Sequence, residues 1–134
     1  PLTAGDIAAL KEVINYNIQS MTSSHEFANY IKDLLGPFGV DKMRAMFGGY
    51  GLDKGGLVIA LIAENELYFK AGPDEAKIFE AAGSEPFTYD AGDKKVKMSY
   101  FKVSQEVIED DETIKKWLDL AYGAAIKAAK KKIK

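Results

Sequence analysis

Cysteine is absent from the 134-residue chain, and histidine occurs once, as His25. Without cysteine there can be no disulfide framework, thiolate nucleophile or cysteine-ligated zinc. The longest apolar run, residues 56–63, is far shorter than the roughly 20 residues of a membrane-spanning helix. No basic segment followed by an apolar one opens the sequence, so no signal peptide is predicted. These absences favour a protein of the reducing cytoplasm that has no membrane partner.

Charge is modest in total but uneven along the chain. The 18 basic and 20 acidic side chains give a formal net charge of -2, yet residues 113–134 contain seven lysines and one acid. Lysines near the end, among them Lys130, Lys131 and Lys132, could contact phosphates and give a weak, salt-sensitive affinity for nucleic acid. The favoured interpretation is simpler: these lysines complement the C-terminal end of a helix dipole.

Apolar residues at helical spacing predict an extra N-terminal helix within residues 1–22, followed by one domain over 23–134. One face of the first helix is apolar; it consists of Ile7, Leu10, Ile14 and Ile18. A second helix is predicted after Ser23, which has capping-box spacing to Glu26, and it ends at Gly36.

Period-two alternation predicts strands at 42–47, 56–62, 65–70, 86–90 and 95–103. A short helix is predicted between Pro73 and Gly83, and a last helix from about Asp111. Helices separated from strands with short turns indicate an α+β fold. We therefore expect a two-layer structure in which a mainly antiparallel five-stranded sheet packs on helices.

Residues 44–56, RAMFGGYGLDKGG, contain five glycines. A phosphate-binding loop needs its lysine directly before Ser or Thr at a helix start, and a dinucleotide loop needs a third glycine at fixed spacing; both are missing. We expect instead that Gly48, Gly49 and Gly51 permit a bulge or bend in the first strand. Residues 53–56 are then predicted to turn a hairpin.

The segments RAMFGGYGL, GLVIALIAENELYFK, EPFTYD and KMSYFKV, in this order, closely resemble the N-terminal domain of the TfoX/Sxy family of bacterial competence regulators. The resemblance spans roughly residues 24–125. It implies a secretion-chaperone-like fold with the element order given above. It also implies a role in transcription control of DNA-uptake genes, in which full-length members work with the cyclic-AMP receptor protein and carry a second, C-terminal domain.

No set of catalytic or metal-binding residues stands out, so we expect a non-enzymatic module without cofactor or metal. His25 is interpreted as a residue of a helix start, and the acids 109–112 as residues that favour the next helix through its dipole. Arg44 and Tyr50 are candidates for a small-molecule pocket. Tyrosines interleaved with lysines on strands could also stack on single-stranded nucleic acid, although strand propensity alone explains them.

The predicted strand at 56–62 is apolar on both faces. Strict alternation places Val58, Ala60 and Ile62 against the helices. It leaves a second set in need of cover in a two-layer fold, namely Leu57, Ile59 and Leu61. Either the first helix or a second copy of the chain could provide that cover, and we predict a homodimer.

Overall fold

Helices and strands follow one another along the part of the chain that the computed structural model describes, residues 24–46 and 48–133. The helices are α1 His25–Leu35, α2 Pro73–Ala81, α3 Gln105–Ile108 and α4 Asp111–Ile133. The strands are β1 Lys42–Met46, β2 Gly49–Lys54, β3 Leu57–Ala63, β4 Glu66–Lys70, β5 Pro86–Ala91 and β6 Lys94–Val103. They form a six-stranded antiparallel sheet in the order β1-β2-β3-β4-β6-β5. The α+β class and the antiparallel sheet are confirmed.

The sheet has six strands, so the prediction of five was wrong. The missed strand is β2, which pairs with β1 on one side and β3 on the other. It begins within the glycine-rich segment, and glycine is depleted in strands, so its sequence predicted a bend. At Gly49 the close approach of β3 requires glycine, because a Cβ atom there would lie 1.9 Å from the carbonyl oxygen of Ile62.

The turn between β2 and β3 was predicted correctly. Gly55 and Gly56 have φ angles of 58° and 82°, the left-handed conformation that glycine adopts at little cost. The β3–β4 turn uses Glu64 and Asn65 in the same region of φ, at 53° and 59°. Asn65 also holds the start of α1, because its Oδ1 accepts a hydrogen bond of 2.6 Å from the backbone N–H of Ser24.

Helix α1 begins one residue later than the capping-box spacing predicted. The N-cap is Ser24, whose Oγ accepts from the backbone N–H of Phe27 at 3.2 Å. The predicted cap, Ser23, lies outside the described residues, as does the whole predicted helix within residues 1–22. Among the described helices, none is long and apolar enough to cross a membrane.

The core lies between the sheet and the helices. Helix α4 contributes Ile114, Leu118 and Ala121, which are fully buried. Helix α2 joins this core through Phe79, whose ring centroid lies 4.7 Å from that of Trp117 and 6.0 Å from that of Phe101.

A β-bulge changes which side chains of β3 face the helices. Leu52 pairs with Ala60 but Asp53 pairs with Val58, so Ile59 is the extra residue in β3. Ile59 is fully buried in the core, and Leu57 packs against that core. The expectation that both need cover from outside was therefore wrong. Alternation fails because two residues of β3 oppose one residue of β2 at the bulge. Of Leu57, Ile59 and Leu61, only Leu61 lies on the face opposite the core.

Candidate functional site

The face of the sheet opposite the described helices carries a continuous row of paired residues. Residues directly opposite one another on neighbouring strands project to the same side. The pairings link five strands in one row, which consists of Arg44, Gly51, Leu61, Tyr68 and Lys102. We call the side that carries this row the helix-free face, a term that refers to the described helices only.

An apolar groove lies at one end of the strands and includes part of the helix-free face. Its volume is about 380 Å³, within the range of small-molecule sites. The described residues that line it are Met46, Tyr50, Leu61, Ile62, Ala63, Phe87 and Met98. The Phe87 ring makes an edge-to-face contact with Tyr68 at a centroid distance of 4.7 Å. Two methionines in the lining allow the groove to adapt to differently shaped apolar groups.

Gly51 makes room for one of those methionines. A Cβ atom at Gly51 would lie 2.4 Å from Met46 Sδ, so the absence of a side chain on β2 lets the Met46 side chain lie across that strand. The glycine-rich segment thus has a second use besides turning the chain. It shapes the groove.

Beside the groove, the helix-free face is polar. Asp53 is 5 % exposed and accepts a hydrogen bond of 3.2 Å from Arg44 Nη2. Burial raises the pKa of the Tyr100 phenol, and the nearby Asp53 carboxylate raises it further. Lys70 Nζ lies 5.1 Å from the centroid of the same ring. Arg44 is therefore engaged in an ion pair, and it is not among the described residues of the groove lining.

Tyr50 lies apart from Arg44, because consecutive strand positions project to opposite faces and Tyr50 pairs with Ala45 and Ile62. Its hydroxyl is 3.3 Å from His25 Nδ1, and the two rings meet at a centroid distance of 5.9 Å. Of the two candidates for a pocket, only Tyr50 lines the groove. Small-molecule binding there remains a prediction.

A comparison with protein families matches residues 33–125 to the TfoX N-terminal domain. The chain belongs to the TfoX N-terminal domain family. The match contains all six strands, so the resemblance found in the sequence is confirmed over the whole sheet. A comparison with curated proteins finds no match for this chain.

In this TfoX domain, an ion pair that was not predicted from the sequence joins α4 to α2. Lys127 Nζ lies 2.5 Å from Glu75 Oε2 and 3.9 Å from Asp74 Oδ2. The other carboxylate oxygen of Glu75, which is 6 % exposed, accepts from the backbone N–H of Gly72 at 3.0 Å. The capping-box spacing of 72 and 75 could have indicated this role of Glu75, but nothing local indicated Lys127.

The candidate lysines of α4 divide into two groups. Lys127, the first lysine of the cluster at the end of the helix, is committed to the pair with Glu75. Lys130 and Lys131 are exposed on the following turn, while the side chain of Lys132 lies outside the described part of the structure.

The acidic cluster 109–112 contributes to the start of α4, where Asp110 Oδ2 accepts from Thr113 Oγ1 at 2.6 Å. Within the described residues, no group of three or more His, Asp and Glu could hold a metal ion.

The Glu75–Lys127 pair should make the stability of the TfoX domain depend on pH. Burial alone would raise the pKa of Glu75, but hydrogen bonds from Lys127 and from the backbone of Glu75 and Gly72 lower it below its usual value. The resulting stability is present above the unfolded pKa of about 4.3 and is lost as the pH falls through the lower folded-state pKa. We expect Glu75→Gln to cost about 1–2 kcal/mol at neutral pH, because one charged hydrogen bond is lost to a half-exposed partner.

Urea unfolding followed from about pH 7 to about pH 3 measures this effect. The difference between wild type and Glu75→Gln should shrink toward the acid end, because the wild-type carboxyl becomes neutral there. The control is Glu80→Gln, which removes a half-exposed carboxylate 3.9 Å from Lys97. Two results would show that the Glu75–Lys127 pair has no special role. One is an equal loss of stability in Glu75→Gln and Glu80→Gln, and the other is a stability difference between wild type and Glu75→Gln that does not change with pH.

Proposed function

We propose that this TfoX domain is a non-enzymatic protein-interaction module in bacterial transcription control, acting on genes for DNA uptake. Its partners would be components of the cytoplasmic transcription machinery, with the cyclic-AMP receptor protein as the first to test. Membership of the TfoX family supports this context. The structural observation that carries the proposal is the apolar groove, which opens onto the helix-free face.

The groove has the properties of an anchor site for side chains of another protein. Its volume of about 380 Å³ is large enough for two or three apolar side chains. Met46 and Met98 give a lining that can repack around different anchors. The neighbouring polar side chains Arg44, Tyr68 and Lys102 lie in the same row as Leu61 and provide a rim that can hydrogen-bond to a partner.

A binding measurement with purified proteins tests the proposal. The full chain is immobilised, and the cyclic-AMP receptor protein and RNA polymerase are passed over it separately. Met98→Lys places a charge in the groove and should weaken binding at least tenfold. Ile78→Lys is the matched control, because Ile78 is 47 % exposed on α2 and lies outside the groove lining. Binding of neither protein by wild type, or equal binding by the two variants, would refute the proposal.

Nucleic-acid binding is the second candidate function, and the exposed Lys130 and Lys131 are the observation that favours it. If these two lysines contact phosphates, affinity should fall about 12-fold between about 50 and 200 mM salt. Lys130→Glu/Lys131→Glu should then abolish most of the binding and its salt dependence. Lys115→Glu/Lys116→Glu is the control, because it changes the same charge on two exposed positions of the same helix. Unchanged affinity in the Lys130/Lys131 variant, measured by fluorescence anisotropy with a labelled oligonucleotide, would reject this function.

A further inference from the structure

The described chain begins at the rim of the groove. The backbone N–H of Ser24 is hydrogen-bonded to Asn65 Oδ1 at 2.6 Å. Asn65 is in the turn that follows β3, two residues after Ala63, and Ala63 lines the groove. The residues before Ser24 therefore join the domain at the edge of the apolar groove.

We propose that residues 3–20 of the same chain lie on the helix-free face and fill the apolar groove. This segment precedes the family match, which begins at residue 33. The occupancy holds whether or not another protein also binds the groove. A partner that uses the groove would have to displace the segment.

The length of the segment fits the face. As a helix, 18 residues extend about 27 Å. Six strands spaced about 4.8 Å apart extend about 24 Å from the first to the last. Because the β3–β4 turn lies in the middle of the strand order, a helix that ends there has only half of that width to cross and is long enough to reach either outer strand.

The chemistry of the segment also fits. Its sequence places four branched apolar side chains on one helical face, and these match the groove; they are Ile7, Leu10, Ile14 and Ile18. The segment carries two acids and one base, Asp6, Glu12 and Lys11, and is negative overall. On the helix-free face bases outnumber acids, as alternation along β1, β2, β4 and β6 places Lys42, Arg44, Lys70 and Lys102 there with Asp53 and Glu66.

A cross-linking experiment on the full chain tests this placement. Because the chain contains no cysteine, the introduced cysteines are the only thiols that can react. Ile14→Cys/Met98→Cys pairs the apolar face of the segment with the groove. Ile14→Cys/Ile78→Cys pairs it with an exposed site on α2. Treated at low protein concentration with a short bismaleimide, the first pair should give an intramolecular cross-link in at least tenfold higher yield than the second. Adding Leu10→Asp and Ile18→Asp to the first pair should remove most of that yield.

Each other outcome overturns the proposal. Cross-linked dimers as the main product would assign the groove to a second copy of the chain. No cross-link, or equal yields from the two pairs, would place the segment elsewhere. Phe87→Cys in place of Met98→Cys provides a second position in the groove, and thermal unfolding of each variant confirms that it is folded. The experiment contains no partner protein, so its result is independent of the binding test for the proposed function.

Discussion

Replacing Phe79 with alanine should lower the free energy of unfolding by about 3–5 kcal/mol. Phe79 is fully buried, and it connects α2 to α4 through Trp117 and to β6 through Phe101. Alanine would leave a cavity between three elements, and a rigid sheet on one side limits how far they can collapse into it.

Urea unfolding at neutral pH measures this loss. Ile78→Ala is the matched control, because it removes a large apolar side chain from the neighbouring position of the same helix, where it is 47 % exposed. The control should change stability by no more than about 0.5 kcal/mol. If Phe79→Ala lowered the free energy of unfolding by no more than the Ile78→Ala control, α2 would not share the core of the sheet.

Gly49→Ala should destabilise the domain by about 3 kcal/mol or more. The added Cβ would lie 1.9 Å from the Ile62 carbonyl oxygen, so β2 and β3 would have to separate. Backbone atoms of a central strand cannot move aside as a flexible side chain can, which puts this change at the upper end of the cost of overpacking. The groove should be disturbed as well, since Met46 and Leu61 approach it from the strands on either side of β2.

Gly123→Ala is the control for this substitution, and it should have the opposite sign. Nothing lies within 4 Å of a Cβ atom at Gly123, which is in the middle of α4. Alanine there should stabilise the domain by about 0.5–1 kcal/mol through helix propensity. Thermal unfolding of the two variants separates the effects. A neutral Gly49→Ala would contradict the close pairing of β2 and β3.

Much of the fold could be predicted from local sequence patterns. Capping-box spacing predicted α1, Pro73 and Gly83 predicted α2, the last helix was expected from about Asp111, and alternation predicted five of the six strands. Strand β2 escaped detection because Gly49, Gly51 and the adjacent Gly48 have low strand propensity. Their strand conformation depends on tertiary contacts: β3 passes so close to Gly49 that a larger residue is excluded there.

The candidate site was less predictable, because it depends on register. The groove takes Met46, Leu61, Phe87 and Met98 from four different strands. No spacing in the sequence brings these residues together. The bulge at Ile59 adds a second difficulty, since it reverses the facing of Leu57 relative to Leu61. The sequence of β3 contains no glycine that would have marked the bulge.

The predicted homodimer and the proposed cover by residues 3–20 make different demands on the same surface. A dimer that uses the groove would expose the segment, whereas an intramolecular segment would leave the chain monomeric at this face. The size of the cross-linked product distinguishes the two arrangements. The partner-binding measurement then shows whether either occupant gives way to a transcription protein.

The two outer strands of the described sheet also affect how copies of the chain can meet. Strand β1 has five residues and exposes Lys42 and Arg44, and β5 begins with Pro86, which has no N–H to donate. Short strands, exposed charges and proline all hinder the addition of another strand at an edge. The sheet is therefore poorly suited to continue from one molecule into the next, which protects a concentrated solution against fibrillar aggregation.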